Sequence, residues 1–540
     1  MKTKIILVSV LAAITALAGC TTGGGGGTKP VDGTGVAYLS IEIEAQERTR
    51  ASTEDPGANE SDLKTLYLLT FDDTENIVGV PGTSEYSIKI DNATSTPDAV
   101  KVSSSATKLL VIANPGTQLL SVINGLNSTT TYSTINAAIV GTAQAPVTKD
   151  EITDDVSNIT KGFAMINSGA EGENPSVGTK ITNPLIDVKG NIVVVTENKD
   201  DAAAKSEAEG KRAEIKIERL ASKVEMYVKD PADMTVLPPG ATFKFGNWTL
   251  DAVNSTFYPF ATKTLLDVGH STGGFYIRNF YTQDPNFNNN DNIRYTTVNT
   301  TTYNPEIVTP YSWMSASVSA TPVVAYCIEN TMAAADQLFD AATRVVVKGT
   351  YYPNGYGPTG DWFHFAGKDY KNLAELQAAY SPEMPNLKAA CDNMYNKIKA
   401  FADASGGSIT FDADNFSELK ETELSQIPNG GELIKNGYAP GDQLIRWYQN
   451  GLSYYYYEIR HDNSPTAGEM AFAKYGVVRN NWYQLTLGTI KGAGTPWYPD
   501  INNPGPGDPD PKDPIDASAG YLGITVKVAP WILWENDIEM

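Results

Sequence analysis

The chain has 540 residues, enough for two or three domains with ordinary cores. It carries 41 Lys and Arg against 63 Asp and Glu, a formal charge of −22, which argues against a binder of nucleic acid or anionic membranes and for a soluble, self-repelling surface. Thr, Asn, Gly and Tyr are plentiful and long helical patterns few, so the chain reads as mostly β.

Residues 1–4 are basic and 5–17 are apolar, too short a run for a comfortable membrane span, and Leu17-Ala18-Gly19-Cys20 follows at once. This order predicts a secretory signal over 1–20 that ends in a bacterial lipobox, with Cys20 as the lipid acceptor. Glycines 23–27 make a flexible leash. Over 35–47, Leu39, Ile41, Ile43 and Ala45 alternate with Tyr38, Ser40, Glu42 and Glu44, the period of one half-buried strand. It runs into Arg48-Thr49-Arg50 and then a polar stretch from Ala51 that contains Pro56-Gly57. Basic residues in an exposed loop suit a trypsin-like protease, although an ordinary charged turn also accounts for them.

Core strands are expected over 63–71 and 108–113, the second ended by the turn Asn114-Pro115-Gly116, and further strands over 161–168 and 192–196. Short helical patches fit 117–123 and 134–140, and 200–212 reads as a charged connection. The run 213–228 (AEIKIERLASKVEMYV) is strand-like despite Arg219 and Lys223, and a domain boundary is placed at its start, near 212. Beyond it, 243–250, 321–328, 343–351, 452–459 and 482–490 read as strands. The helical pattern over 371–401 is interrupted by Ser381-Pro382 and Pro385, which predicts two helices. The Pro- and Asp-rich run 503–514 predicts a stiff, extended spacer. After it, Leu522, Ile524, Val526 and Val528 alternate with Gly523, Thr525 and Lys527 in a last strand, followed by Pro530 and the apolar Trp531 to Trp534. That strand either closes its own domain or is lent to another molecule. No fixed-period repeat is visible, and the order of strands predicts two β-sandwiches with a few short helices.

Chemistry is sparse. His270, His364 and His461 lack metal-ligand spacing with another His or Cys, and no nucleophile elbow, P-loop or dinucleotide fingerprint occurs. Asp412-Ala413-Asp414-Asn415 and the acids of 508–513 carry oxygen ligands but lack the glycine and terminal Glu of an EF-hand loop. The run Tyr454 to Tyr457 offers a sugar-stacking face, but successive side chains on a strand point to opposite faces, so only two could line one surface. Cys327 and Cys391 fit one bridge or two buried thiols, with buried thiols preferred. No catalytic residue, metal or cofactor is predicted, and the chain is read as a non-enzyme.

Several stretches in order carry a resemblance: the lipobox at Cys20, the Arg50-Ala51 junction, LLVIANP over 109–115, IERLASKVE over 217–225, Glu329-Asn330-Thr331, VVRNNWYQLTLGTI over 477–490, and the spacer with its final strand ending Ala529-Pro530-Trp531. In these the chain resembles the Bacteroidetes fimbrillins, lipoprotein pilins of the type V pilus, and most closely the stalk subunit of short fimbriae. Residues 254–315 match nothing nameable. The resemblance implies two transthyretin-like β-sandwich domains, over 51–212 and 213–502, behind a signal (1–20) and a propeptide (21–50), with spacer and donor strand over 503–540. It also implies a mechanism. An N-terminal strand bearing Leu39, Ile41 and Ile43 fills a groove until an Arg-specific protease cuts between Arg50 and Ala51. The Leu522, Ile524, Val526 and Val528 strand of another subunit then fills it. The expected partners are identical subunits head to tail, accessory anchor and tip subunits, the protease, and host or bacterial receptors, with no nucleic acid. The expected place is a fimbria on the cell surface that serves adhesion and biofilm formation, its precursor lipid-anchored at the outer membrane. The alternatives are a monomeric glycan-binding surface lipoprotein and, more weakly, a secreted hydrolase.

Overall fold

The protein's structure, a computed structural model, describes residues 35–45, 60–138, 162–169, 178–266, 279–289, 293–299, 306–316, 324–439, 441–462, 470–517 and 522–530. The fold is mostly β, as expected, and is built from two sandwich cores joined in the middle of one strand-like run.

The first sandwich has a seven-stranded sheet ordered Ile41–Ala45, Ala213–Arg219, Met165–Asn167, Lys108–Ala113, Thr65–Phe71 and Ile88–Asp91, with Ile186–Asp187 also on Lys108–Ala113. Its inner strands, TLYLLTF and KLLVIA, are buried along nearly their whole length, which is why they read as continuous apolar runs. Facing it is a three-stranded sheet ordered Val193–Val194, Val36–Leu39 and Val100–Ser103. Ala37, Leu39 and Val102 from one sheet and Leu66, Leu109 and Ile215 from the other meet in a single core.

The expectation of one strand over 35–47 is corrected here. Val36–Leu39 and Ile41–Ala45 are separate strands in opposite sheets. The break is at Ser40, buried at the crossing, where Arg212 Nη1 donates to Ser40 Oγ (3.0 Å) and to the carbonyls of Ile41 (3.3 Å) and Pro97 (3.0 Å).

The run 213–228 divides the same way. Ala213–Arg219 belongs to the first sandwich, while Ala221–Val228 enters the second, between Val324–Ile328 and Asn481–Ile490. The change of sheet therefore falls at Leu220, inside the run rather than at its start near 212. Opposite this second sheet lie Thr242–Asp251, Arg344–Tyr352 and Leu452–Glu458, and Val224, Trp248, Val347, Tyr455 and Leu485 fill the space between.

Arg344–Tyr352 and Leu452–Glu458 are paired neighbours, so residues 353–451 form an insertion at the end of a hairpin. It has its own small sheet, Trp362–Phe365 with Lys368–Tyr370 and Arg446–Tyr448, and the two helices expected from the prolines, Leu373–Ala379 and Pro385–Ala404. Pro385 opens the second helix, where its missing N–H costs nothing. Leu387, Cys391, Met394 and Ile398 then line one buried face at helical spacing. The expected connection over 200–212 holds a helix, Asp201–Glu209, whose N-cap Asp200 Oδ1 accepts from Ala203 N at 2.8 Å.

Candidate functional site: the edges that hold the terminal strands

The N-terminal segment occupies two places at once. Val36–Leu39 is a middle strand, antiparallel to both neighbours, with Val36 opposite Ser103 and Leu39 opposite Val100 on one side, and Ala37 opposite Val194 on the other. Ile41–Ala45 is an edge strand parallel to Ala213–Arg219, with Ile41 opposite Ala213 and Ala45 opposite Ile217. Leu39, Ile41 and Ile43 are 0, 1 and 3% exposed. Withdrawal of this segment would leave Val193–Val194 and Val100–Ser103 with unpaired inner edges and a furrow in the core between them. Cys20, Arg48, Arg50 and Ala51 lie outside the described residues.

The C-terminal strand Leu522–Pro530 runs antiparallel to Asn481–Ile490, from Leu522 opposite Ile490 to Pro530 opposite Asn481, with a register shift between Leu487 and Thr489. Leu522 and Val526 are buried, Ile524 is half-buried and Thr525 is exposed, so the alternation reads correctly onto the sheet. Val528 stands opposite Tyr483 in the backbone register. In this conformation the strand closes its own chain's sheet, at the edge, paired among the described residues on one side only.

The spacer differs from its sequence expectation. Its backbone is a series of tight turns, with Asp508 N donating to the Gly505 carbonyl (3.0 Å) and Asp513 N to the Asp510 carbonyl (2.9 Å), and it is docked along the second sandwich and the insertion. Trp497 Nε1 and Gly505 N donate to Asp508 Oδ2 at 3.0 and 2.6 Å, and Arg446 Nη2 donates to the Pro506 carbonyl at 2.6 Å. Asp340 N and Phe339 N donate to the carbonyls of Pro511 (3.0 Å) and Asp513 (3.3 Å), and Ile515 is buried among Met332, Ala341, Ala342 and Tyr475. Asp516 then accepts from Lys474 Nζ (2.9 Å), Tyr475 OH (2.8 Å) and Met470 N (2.6 Å). The Asp508 carboxyl has a raised pKa because it is buried, with its other oxygen unpartnered. The Asp516 carboxyl is held below the usual range by hydrogen bonds to its charged form, which outweigh partial burial.

Residues 446–537, which comprise the spacer, the C-terminal strand and the sheet edge beneath it, match the family model described as "Major fimbrial subunit protein type IV, Fimbrillin, C-terminal". Among solved structures, the chain overlays a "putative cell adhesion protein" from Parabacteroides distasonis at 13% identity and TM-score 0.39, over 93% of this chain and 98% of that one. It overlays the tip fimbrial protein Mfa3 of Porphyromonas gingivalis at 11% identity and TM-score 0.35, over 92% and 100%. No curated protein matches its sequence.

The other candidates raised by the sequence resolve into packing. Tyr454 and Tyr455 are buried on opposite faces of their strand, Tyr454 beside Trp313 (6.2 Å between ring centroids) and Tyr455 beside Phe243 (5.6 Å), while Tyr456, beside Phe339 (6.2 Å), and Tyr457 are half-buried, so half of the tyrosine run is core. Cys327 and Cys391 are free and buried, and burial pushes both thiols up to about 12. His364 Nδ1 is 2.7 Å from Asp369 and His461 Nδ1 2.7 Å from Tyr483 OH, while His270 is outside the described residues. Asp412 N donates to Glu423, and Asn415 Oδ1 accepts from Ser417 N as a helix cap. Among the described residues no group of three or more His, Cys, Asp or Glu is arranged to hold a metal ion. What the sequence did not bring together is a set of buried charges between the sandwiches, Glu60, Arg219 and Lys223. The only signal was two basic residues inside an otherwise strand-like run.

Proposed function

We propose that this chain is a structural, polymerising stalk subunit of a cell-surface fimbria, assembled head to tail by donor-strand exchange. The precursor is lipidated at Cys20, and an Arg-specific protease cuts between Arg50 and Ala51. The N-terminal segment then leaves, and the strand of Leu522, Ile524, Val526 and Val528 from another copy takes its place. Donor and acceptor surfaces differ, so the contact is heterologous and extends into a fibre. Accessory tip and anchor subunits end the fibre, and surface receptors are its adhesion targets.

The observation that carries this reading is the placement of Val36–Leu39 between two strands of one sheet, with a basic tripeptide a few residues downstream. A middle strand that can be cut away leaves two backbone edges and an apolar furrow to refill. Leu39, Ile41 and Ile43 contribute roughly 1.5–3 kcal/mol each by burial, enough to require a replacement of similar shape. Leu522, Ile524 and Val526 present the same spacing from a sheet edge that can detach without dividing the sheet. An incoming strand that reproduces the present pairing would run antiparallel to Val100–Ser103.

The deciding experiment is N-terminal sequencing of surface-assembled material together with electron microscopy of it. Fibres whose chains begin at Ala51 and contain no lipid are the expected result. Single particles, or fibres that retain residues 35–45, would overturn the proposal.

A further inference from the structure

The strand that holds the N-terminal segment, Ala213–Arg219, and the strand that holds the C-terminal one, Asn481–Ile490, meet at Arg219 and Asn480. Asn480 Oδ1 accepts from the Arg219 backbone N (3.3 Å) and from Arg219 Nη1 (3.4 Å), and Asn480 N donates to the Ala221 carbonyl (2.8 Å). Asn480 has φ of 57°, in the left-handed region that Asn tolerates better than most residues. The chain just beyond the expected cleavage site closes the knot. Arg219 Nε donates to the Glu60 carbonyl (2.9 Å) and Nη2 to Ser61 Oγ (3.2 Å). The Glu60 carboxylate takes Lys223 Nζ at 3.0 Å and the Tyr326 hydroxyl, and Lys223 Nζ also lies 4.0 Å from the centroid of the Trp482 ring. Glu60, Arg219 and Lys223 are 3, 0 and 3% exposed. Tyr326, Ile328 and Trp482, from strands of the second sandwich, complete the core of the first.

From this arrangement we infer that Arg219, Asn480 and Glu60 are positioning residues: they lock the two sandwiches into one rigid body and fix the N-terminal strand's slot relative to the root of the C-terminal strand. Inter-domain contacts within a chain normally permit relative motion. Here any hinge opening would part buried charges from their partners, which is strongly unfavourable. In a fibre built as proposed above, the angle between successive joints and the stiffness of the whole are then set inside each subunit. The consequence for fibres rests on that reading; the joint itself is a property of the single chain.

Spin labels at Ser128→Cys and Asp233→Cys, both exposed and on different sandwiches, report the joint in the full chain in solution. A single narrow distance distribution is expected in the otherwise unchanged protein, and a broad one there overturns the inference outright. Glu60→Ala with Asn480→Gly keeps the left-handed backbone but removes both bridging groups, and it should widen the distribution severalfold. Asn480→Asp, which retains an acceptor, should stay narrow. An equally narrow distribution in the double variant, with near-ultraviolet circular dichroism intact, would also overturn the inference. If the double variant does not fold, the width in the unchanged protein decides alone. In electron micrographs, fibres of the double variant should have a persistence length several times shorter. A narrow distribution without fibres would leave the joint standing and remove the polymer reading.

Discussion

Leu39 and Ile41 are next-but-one neighbours in sequence, both are buried, and they belong to different sheets: Leu39 lies opposite Val100 in an antiparallel pair, Ile41 opposite Ala213 in a parallel one. The break at Ser40 lets one short segment contribute a strand to each sheet of the first sandwich. Loss of that segment is therefore felt by both sheets at once, which makes it a suitable point of control over what the sandwich can accept.

If residues 35–45 act as a removable filler, their contribution to stability should exist only before cleavage. Ile41→Ala should destabilise the uncut chain by about 2–5 kcal/mol, the usual range for truncating a buried Ile. It should have no effect on a chain that has been cut and refilled. Chemical denaturation of the uncut variant, and thermal melting of assembled fibres made from it, give the two numbers. Equal losses in both would mean that the segment stays in place.

Changing Arg48 and Arg50 together to Ala should block processing. The precursor should accumulate at its full length, remain lipid-labelled and form no fibres. Gel mobility, incorporation of a fatty-acid analogue and electron microscopy test the three consequences separately. Normal fibres from this variant would show that assembly does not depend on that site.

Val526 stands opposite Leu485, at the edge of its own sheet and 7% exposed. Val526→Asp would place a carboxylate in apolar surroundings and should undock the last strand, at a cost of several kcal/mol to that contact. Because the strand is paired among the described residues on one side only, the remaining sheet should survive. Hydrogen exchange should quicken along Asn481–Ile490 while amides of Lys108–Ala113 stay protected, and polymerisation should be lost. Global unfolding would make the strand integral to its domain, and intact fibres would exclude it as the joint.

Asp508 gives a pH test. Burial raises its pKa, so the folded state holds this proton more tightly than the unfolded chain does. The associated stability is fully present below the unfolded value, about 4 for Asp, and is lost as pH rises through the folded value. Asp508→Asn should keep the bonds from Trp497 and Gly505 through its amide oxygen while removing the charge. Its melting temperature should therefore gain on the unchanged protein as pH rises above the unfolded value. A difference that stays constant as pH rises from below that value to neutrality would overturn this account of Asp508.

The period-two spacing of Leu39, Ile41 and Ile43, and of Leu522, Ile524 and Val526, determined which side chains face a core, because alternation on a strand is a local property of the backbone. Ser381-Pro382 and Pro385 determined where one helix ends and the next begins for an equally local reason: proline lacks the N–H and blocks the preceding turn. The cap at Asp200, followed by alanines, is a local signal of the same kind. Strand partners are a different matter, since alternation records burial and carries nothing about the chain on either side. Only the tertiary structure decided that the N-terminal segment changes sheets at Ser40 and the 213–228 run at Leu220, and that residues 353–451 are an insertion in a hairpin. It also decided that the Pro- and Asp-rich run is docked, since its carbonyls find donors on Phe339, Asp340 and Arg446, far away in sequence. The knot of Glu60, Arg219, Lys223 and Asn480 was beyond sequence reading for the same reason: a buried charge is tolerated only beside its partner, and these partners come together only when both sandwiches have folded.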